Sequence, residues 1–171
     1  LEFSEDHERI IADIQQRVLE GGLKAIAMPR GSGKTTILIR AAIWATAYGH
    51  RTFVVLIEAD GEAAKESMDV IKIEWETNQL LFEDFPEIAA PIRSLEGITQ
   101  RANAQTYKGE RTLISWTARE LIYPTIAGSK ASGTTIRCAG IHGRIRGMQK
   151  LTADGETIRP NFILVNDPQT D

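Results

Sequence analysis

The chain has 171 residues, 42% of them hydrophobic and 25% charged, which suits one globular domain with a real core. A net charge of −3 excludes a uniformly basic nucleic-acid-binding domain, while leaving room for a local basic patch. The single cysteine, Cys138, excludes an internal disulfide and fits a cytosolic setting with that thiol buried in a strand. No apolar run is long enough to span a membrane, no period signals repeats, and the acidic opening LEFSEDHERI carries no signal-peptide pattern.

Residues 5–19 read as an amphipathic helix, with Ile10, Ile11, Ile14 and Val18 on one face, Ser4 as N-cap and His7 at the third helical position. Gly21-Gly22 ends it. LKAIAM, residues 23–28, reads as a short apolar strand that runs directly into a glycine-rich loop. An apolar helix over residues 34–48 follows and stops at Gly49. RTFVVLIEA, residues 51–59, has the continuous apolar character of a strand buried on both faces. A long helix opens at Asp60 or Gly61 and reaches about Asn78. Residues 80–94, with two prolines, read as loop with a short helix. RTLISW and ELIYPT predict short strands, GSKASG a turn, TTIRCAGI a buried strand, and LTADGETI a hairpin with Asp154-Gly155 at its tip. NFILV is the last strand. This order predicts an α/β fold: a parallel sheet with helices on both faces and a small β-hairpin insertion.

The loop is AMPRGSGKTT, residues 27–36. Its end, Gly33-Lys34-Thr35, fits the phosphate-binding pattern G-x-x-x-x-G-K-[ST]; its start does not, because Met28 stands where the first glycine belongs. Pro29 can fix the chain direction there instead. Gly31 and Gly33, on either side of Ser32, let backbone N–H groups turn inward as an anion nest, and the helix beginning near Lys34 points its positive end at the same spot. Lys34 would reach the β- and γ-phosphates, Thr35 would ligate Mg²⁺ through its hydroxyl, and Thr36 closes the motif.

Such a loop needs an acidic partner at a neighbouring strand tip. FILVND, residues 162–167, offers Asn166 at the metal-side position, acting through a water of the Mg²⁺ shell, and Asp167 at the water-activating one. A second register makes Asp167 the metal-side acid and leaves the base unassigned, with Asp171 a poor substitute. An asparagine at the first position lacks the charge the metal wants, so impaired hydrolysis is one expectation.

MPRGSGKTT, preceded by FSEDHERIIADIQQ and followed at a distance by HGRIRG and NFILVNDPQTD, resembles the ATPase domain of the large terminase subunit of tailed phages, a viral DNA-packaging motor. The resemblance covers most of the chain. It implies an ASCE-type P-loop NTPase fold over residues 1–171, as the N-terminal part of a longer protein whose nuclease domain is not among these residues. It implies ATP and Mg²⁺ as cofactors and Arg30 as the arginine directed at the γ-phosphate in cis. Arg146, with Arg144 as its rival, becomes the arginine offered in trans by a neighbour, and Phe3 and His7 become adenine contacts. The implied partners are double-stranded DNA held by a ring of copies, the small terminase subunit and the portal, in the host cytoplasm and without a membrane.

Two other readings compete. A helicase-like ATPase or a small nucleotide kinase would use residues 79–133 as lid and acceptor site, and DNA-stimulated hydrolysis counts against the kinase. A nucleotide-gated binding module would bind Mg-ATP without turnover, as the neutral Asn166 permits. Trp44 and Trp75 read as core, Lys65 and Lys72 as solvated helix charges, and His50 and His142 lack partners at zinc-ligand spacing.

Overall fold

The computed structural model describes residues 3–152 and 155–169. Helix α1 (Glu5–Glu20) starts at Ser4, whose hydroxyl accepts from the His7 N–H while the His7 ring accepts from the Ser4 N–H, a reciprocal cap. It buries Ile14 and Val18 against helix α2 (Lys34–Ala47). Helix α2 is apolar nearly all round, because it is a middle layer. Ile37, Ala41 and Ala45 meet α1, while Ile39, Ala42, Ile43 and Ala47 meet the main core. It stops at Gly49, whose φ of +69° suits glycine and whose missing Cβ would lie 2.3 Å from the Lys130 carbonyl oxygen.

Strand β1 (Phe53–Glu58) is buried along its whole length. Helix α3 (Gly61–Thr77) follows, capped by the Asp60 carboxylate on the Glu62 and Ala63 N–H groups, and packs Ala64, Met68, Ile71 and Trp75 inward. Residues 79–93 form two helices, α4 (Gln79–Asp84) and α5 (Pro86–Arg93), where the sequence reading expects a loop with one short helix. Asn78 caps the first through its side chain and Pro86 sits in the first turn of the second, where its missing N–H costs nothing. A 3₁₀ turn (Thr99–Ala104) leads to a hairpin of β2 (Thr106–Tyr107) and β3 (Glu110–Arg111). Lys108 and Gly109, both at positive φ, make its turn.

Next come β4 (Ser115–Trp116), β5 (Glu120–Ile122), β6 (Thr135–Gly140), the small hairpin of β7 (Lys150–Leu151) and β8 (Thr157–Ile158), and β9 (Phe162–Val165). Of the expected hairpin tip, Asp154 lies outside the described residues. The five-stranded sheet has the order β4-β5-β6-β1-β9. Strands β6, β1 and β9 are parallel, but β5 runs antiparallel to β6 and β4 antiparallel to β5, so the sheet is mixed rather than wholly parallel. The short connection from β4 to β5 enforces this, since parallel neighbours need a long crossover.

Helices α2, α3 and α5 pack with Val54, Leu56, Ile136 and Leu164 in one core. On the opposite face Phe53, Val55 and Ile57 are met by Ile145, Met148 and Ile158 from the segment around the β7–β8 hairpin. Among the described residues, helices therefore pack on one face of β1 where both faces were expected. A buried polar node braces the helix side: the Trp75 Nε1–H donates to the Tyr123 hydroxyl at 2.9 Å, and that hydroxyl lies 2.9 Å from Thr46 Oγ1. Cys138 is buried in β6 as expected, and burial pushes its thiol up to about 11.

Residues 23–28 carry no strand pairing. Ile26 and Met28 still pack into the α1–α2 cluster, but among the described residues no strand pairs with the segment. β9 pairs with β1 alone among the described residues. No helix among the described residues is long and apolar enough to cross a membrane.

Candidate functional site

The glycine-rich loop spans residues 29–33, just before α2. The Ser32 hydroxyl donates to the Pro29 carbonyl at 2.7 Å and closes it into a turn. Gly31 and Gly33 have φ of +78° and +79°, and a Cβ at either would meet nothing within 4 Å, so both face open space. Gly33 caps α2 with no side-chain acceptor, which leaves the first N–H groups of that helix turned toward the loop concavity. Lys34 and Thr35 are the first two residues of α2, with Thr36 exposed beside them.

His7 bolts this loop to α1. Its Nε2 lies 2.8 Å from the Ser32 carbonyl oxygen, while Nδ1 takes the Ser4 N–H at 3.3 Å. An Nε2–H tautomer satisfies both contacts. Both ring nitrogens are thus engaged within the chain, which leaves the ring face for stacking. Phe3 is exposed, with its ring centroid 6.0 Å from that of His7.

The tip of β9 meets the start of α2. The Asn166 N–H donates to the Ile57 carbonyl and extends the parallel ladder by one residue. Its buried side-chain amide donates to Thr35 Oγ1 at 3.1 Å and to Glu58 Oε2 at 2.9 Å. With both amide hydrogens so used, the Thr35 hydroxyl keeps a lone pair for another partner. Glu58, the last residue of β1, is 6% exposed and also accepts from the Ser67 hydroxyl at 2.6 Å. Burial raises its carboxyl above the usual range, and the Ser67 and Asn166 hydrogen bonds pull it partly back. Glu58 was not among the sequence-derived candidates. Its signal, an acid ending a wholly apolar strand, is visible only as an oddity in FVVLIE.

Asp167 follows Asn166 directly, and its charge adds to the upward push on the Glu58 carboxyl. It is exposed at φ +40°, a conformation unusual for a non-glycine residue and found where a site holds a side chain in a set direction. Asp167, Arg30, Thr35, Glu58 and Asn166 line one cleft of about 460 Å³. Asn166 is buried in the wall of this cleft and Asp167 is exposed at it.

Arg146 is not brought to this cleft. In the loop after β6, Ile145 packs under β1 and leaves Arg144 and Arg146 exposed on either side of it. Arg144 lines a second cleft of about 520 Å³ with Asp60, Arg119, Arg137 and His142; Arg146 lines neither. Neither arginine lines the cleft beside the glycine-rich loop.

The donor set has a definite chemical character. Among the described residues no three His, Cys, Asp or Glu side chains converge into a metal cage. A hydroxyl, an amide and the buried Glu58 carboxylate instead make a sparse, hard-oxygen row, in a cleft that Glu66 and Asp167 also line. That suits Mg²⁺, which retains waters and binds through one or two carboxylates together with substrate phosphates. The open glycine loop next to it fits those phosphates. No family model, curated protein or solved structure matches the chain.

Proposed function

We propose that the chain is a P-loop ATPase domain of the ASCE type, which binds ATP with Mg²⁺ and hydrolyses it to drive DNA packaging, as the resemblance to large terminase subunits implies. The observation that carries this reading is the Asn166 amide on Thr35 Oγ1: it joins the first turn after the glycine loop to a strand tip 131 residues later. A plain turn into a helix does not require that bond. In this reading the loop N–H groups and Lys34 hold the phosphates, and Thr35 with the Asn166 cluster faces the metal. Arg30 neutralises charge growing on the γ-phosphoryl group, and Asp167 orients the attacking water and receives its proton. Bound Mg²⁺ would supply charge neutralisation across the β- and γ-phosphates. Arg146, or Arg144, would complete the site of the next subunit in a ring. DNA would be held by that ring, since a single chain of net charge −3 is a poor binder by itself.

ATP hydrolysis per chain, measured against protein concentration, tests the reading. The rate should rise with concentration, Arg146→Ala should remove the rise, and Lys34→Ala should abolish nucleotide binding. Binding of Mg-ATP with no turnover at any concentration would sink the motor and leave the nucleotide-gated module.

A further inference from the structure

We propose that Glu58 is the carboxylate of the Mg²⁺ site, supplying from the tip of β1 the negative charge that Asn166 lacks at the tip of β9. This rests on the Mg-nucleotide reading above and assigns its metal side to a different strand.

Strand register makes the argument. β1 and β9 are parallel with Ile57 opposite Val165, so residues 58 and 166 leave the sheet at the same height. The Asn166 amide then lies between two oxygens, Glu58 Oε2 at 2.9 Å and Thr35 Oγ1 at 3.1 Å. Thr35, Asn166 and Glu58 thus form one continuous row of oxygen-bearing groups along the wall of the cleft that also holds Arg30 and Asp167. Asp167, exposed, lines the same cleft next to the row.

Burial points the same way. A carboxylate that is 6% exposed is costly to keep unless something compensates its charge. The donors on Glu58 are a serine hydroxyl and an amide, both neutral. A buried carboxylate held only by neutral donors keeps its charge available to a cation, and Mg²⁺ arriving with phosphates needs little more than one such carboxylate. The amide also has a reason to be an amide. It donates to Glu58 across the ladder, where a second carboxylate would face the first at hydrogen-bond distance.

The test is binding, not turnover. ADP affinity is measured by calorimetry on the whole chain, once with Mg²⁺ and once with EDTA, for wild type, Glu58→Gln, and the exchange variant Glu58→Gln with Asn166→Asp. Wild type should bind more tightly with Mg²⁺. Glu58→Gln should lose that gain by about 10–100-fold, the usual effect of removing a group that supports a metal, while its EDTA affinity stays at the wild-type value. The exchange variant returns one carboxylate and one amide to the row with the donor reversed, so it should recover most of the gain. It also serves if Glu58→Gln alone does not fold. An undiminished Mg²⁺ gain in Glu58→Gln, or none in a folded exchange variant, overturns the assignment but leaves the nucleotide site standing. Wild type binding ADP under neither condition removes the nucleotide reading itself, and the assignment with it.

Discussion

Replacing Asn166 by aspartate would bring the site closer to the acidic pair that phosphate-loop enzymes use, and under the proposed ATPase reading the simple expectation is faster hydrolysis. The structure predicts a less stable protein first. The Asn166 amide donates to Glu58 Oε2 at 2.9 Å and to Thr35 Oγ1 at 3.1 Å. Aspartate keeps the shape and removes both donors. Two carboxylates then face each other: at about 4 Å and an effective dielectric constant near 20, like unit charges repel by about 4 kcal/mol. One shared proton caps that cost. Holding a proton near pH 7 on a carboxyl of ordinary pKa about 4.3 costs about 1.4 kcal/mol per pH unit, so again about 4 kcal/mol. For a chain of this size about 4 kcal/mol corresponds to roughly 8–16 °C in Tm.

The sign with pH is fixed by the same proton. Burial already raises the Glu58 carboxyl, and a carboxylate neighbour raises the pair further. A carboxyl with a raised folded-state pKa gives stability that is complete below its unfolded value and lost as pH rises through the folded one. Asn166→Asp should therefore lie closest to wild type near pH 4 to 5 and fall away from it toward pH 8. Urea unfolding of both proteins across that range, with and without Mg-ADP, is the assay. Mg-ADP should restore the variant more than it stabilises wild type, because the cation replaces the proton. Equal stability of the two proteins at pH 8 would refute the Asn166–Glu58 hydrogen bond and the reasoning built on it.

Three further outcomes follow from the packing. Tyr123→Phe leaves the buried Trp75 Nε1–H without its acceptor while Thr46 keeps the Ala42 and Ile43 carbonyls, so thermal unfolding should show a loss of about 1–3 kcal/mol. Gly49→Ala should cost more than Gly128→Ala, by about 1 kcal/mol or more in urea unfolding. Both glycines have positive φ, but only at Gly49 would the new Cβ strike a backbone carbonyl. His7→Ala removes the ring's half of the reciprocal cap of α1 and the tie to Ser32 together, while the backbone N–H at that position keeps the Ser4 hydroxyl. It should cost about 1 kcal/mol in stability and also weaken ATP binding in a titration, whereas Ser4→Ala should affect stability alone.

Much of the chain order was legible because apolar runs report burial, and burial decides most of these elements. Helices α1, α2 and α3 and strands β1, β6 and β9 fall where the patterns place them, and Ser4 and Asp60 cap as their residue types imply. The failures share a cause. Ile26 and Met28 pack inward two residues apart as in a strand, yet a strand is defined by a neighbour's hydrogen bonds, which no local pattern encodes. The antiparallel β4–β5 edge is likewise a fact about pairing. Residues 80–94 misled in the other direction, because a proline in the first turn of a helix looks the same in sequence as one that breaks it.

The candidate site repeats the lesson at the scale of single atoms. Reading along FILVND, an asparagine beside an aspartate looks like a damaged acidic pair. Across the sheet the same asparagine is the donor that a buried glutamate on the adjacent strand requires. The two residues lie 108 positions apart and share one hydrogen bond, so the sequence displays the apparent defect in one place and its partner in another. Parallel strands end their carboxyl tips side by side, and a site at those tips can draw its charge from either one. An acid that ends a fully buried apolar strand therefore merits the same scrutiny as the acid that follows the expected motif.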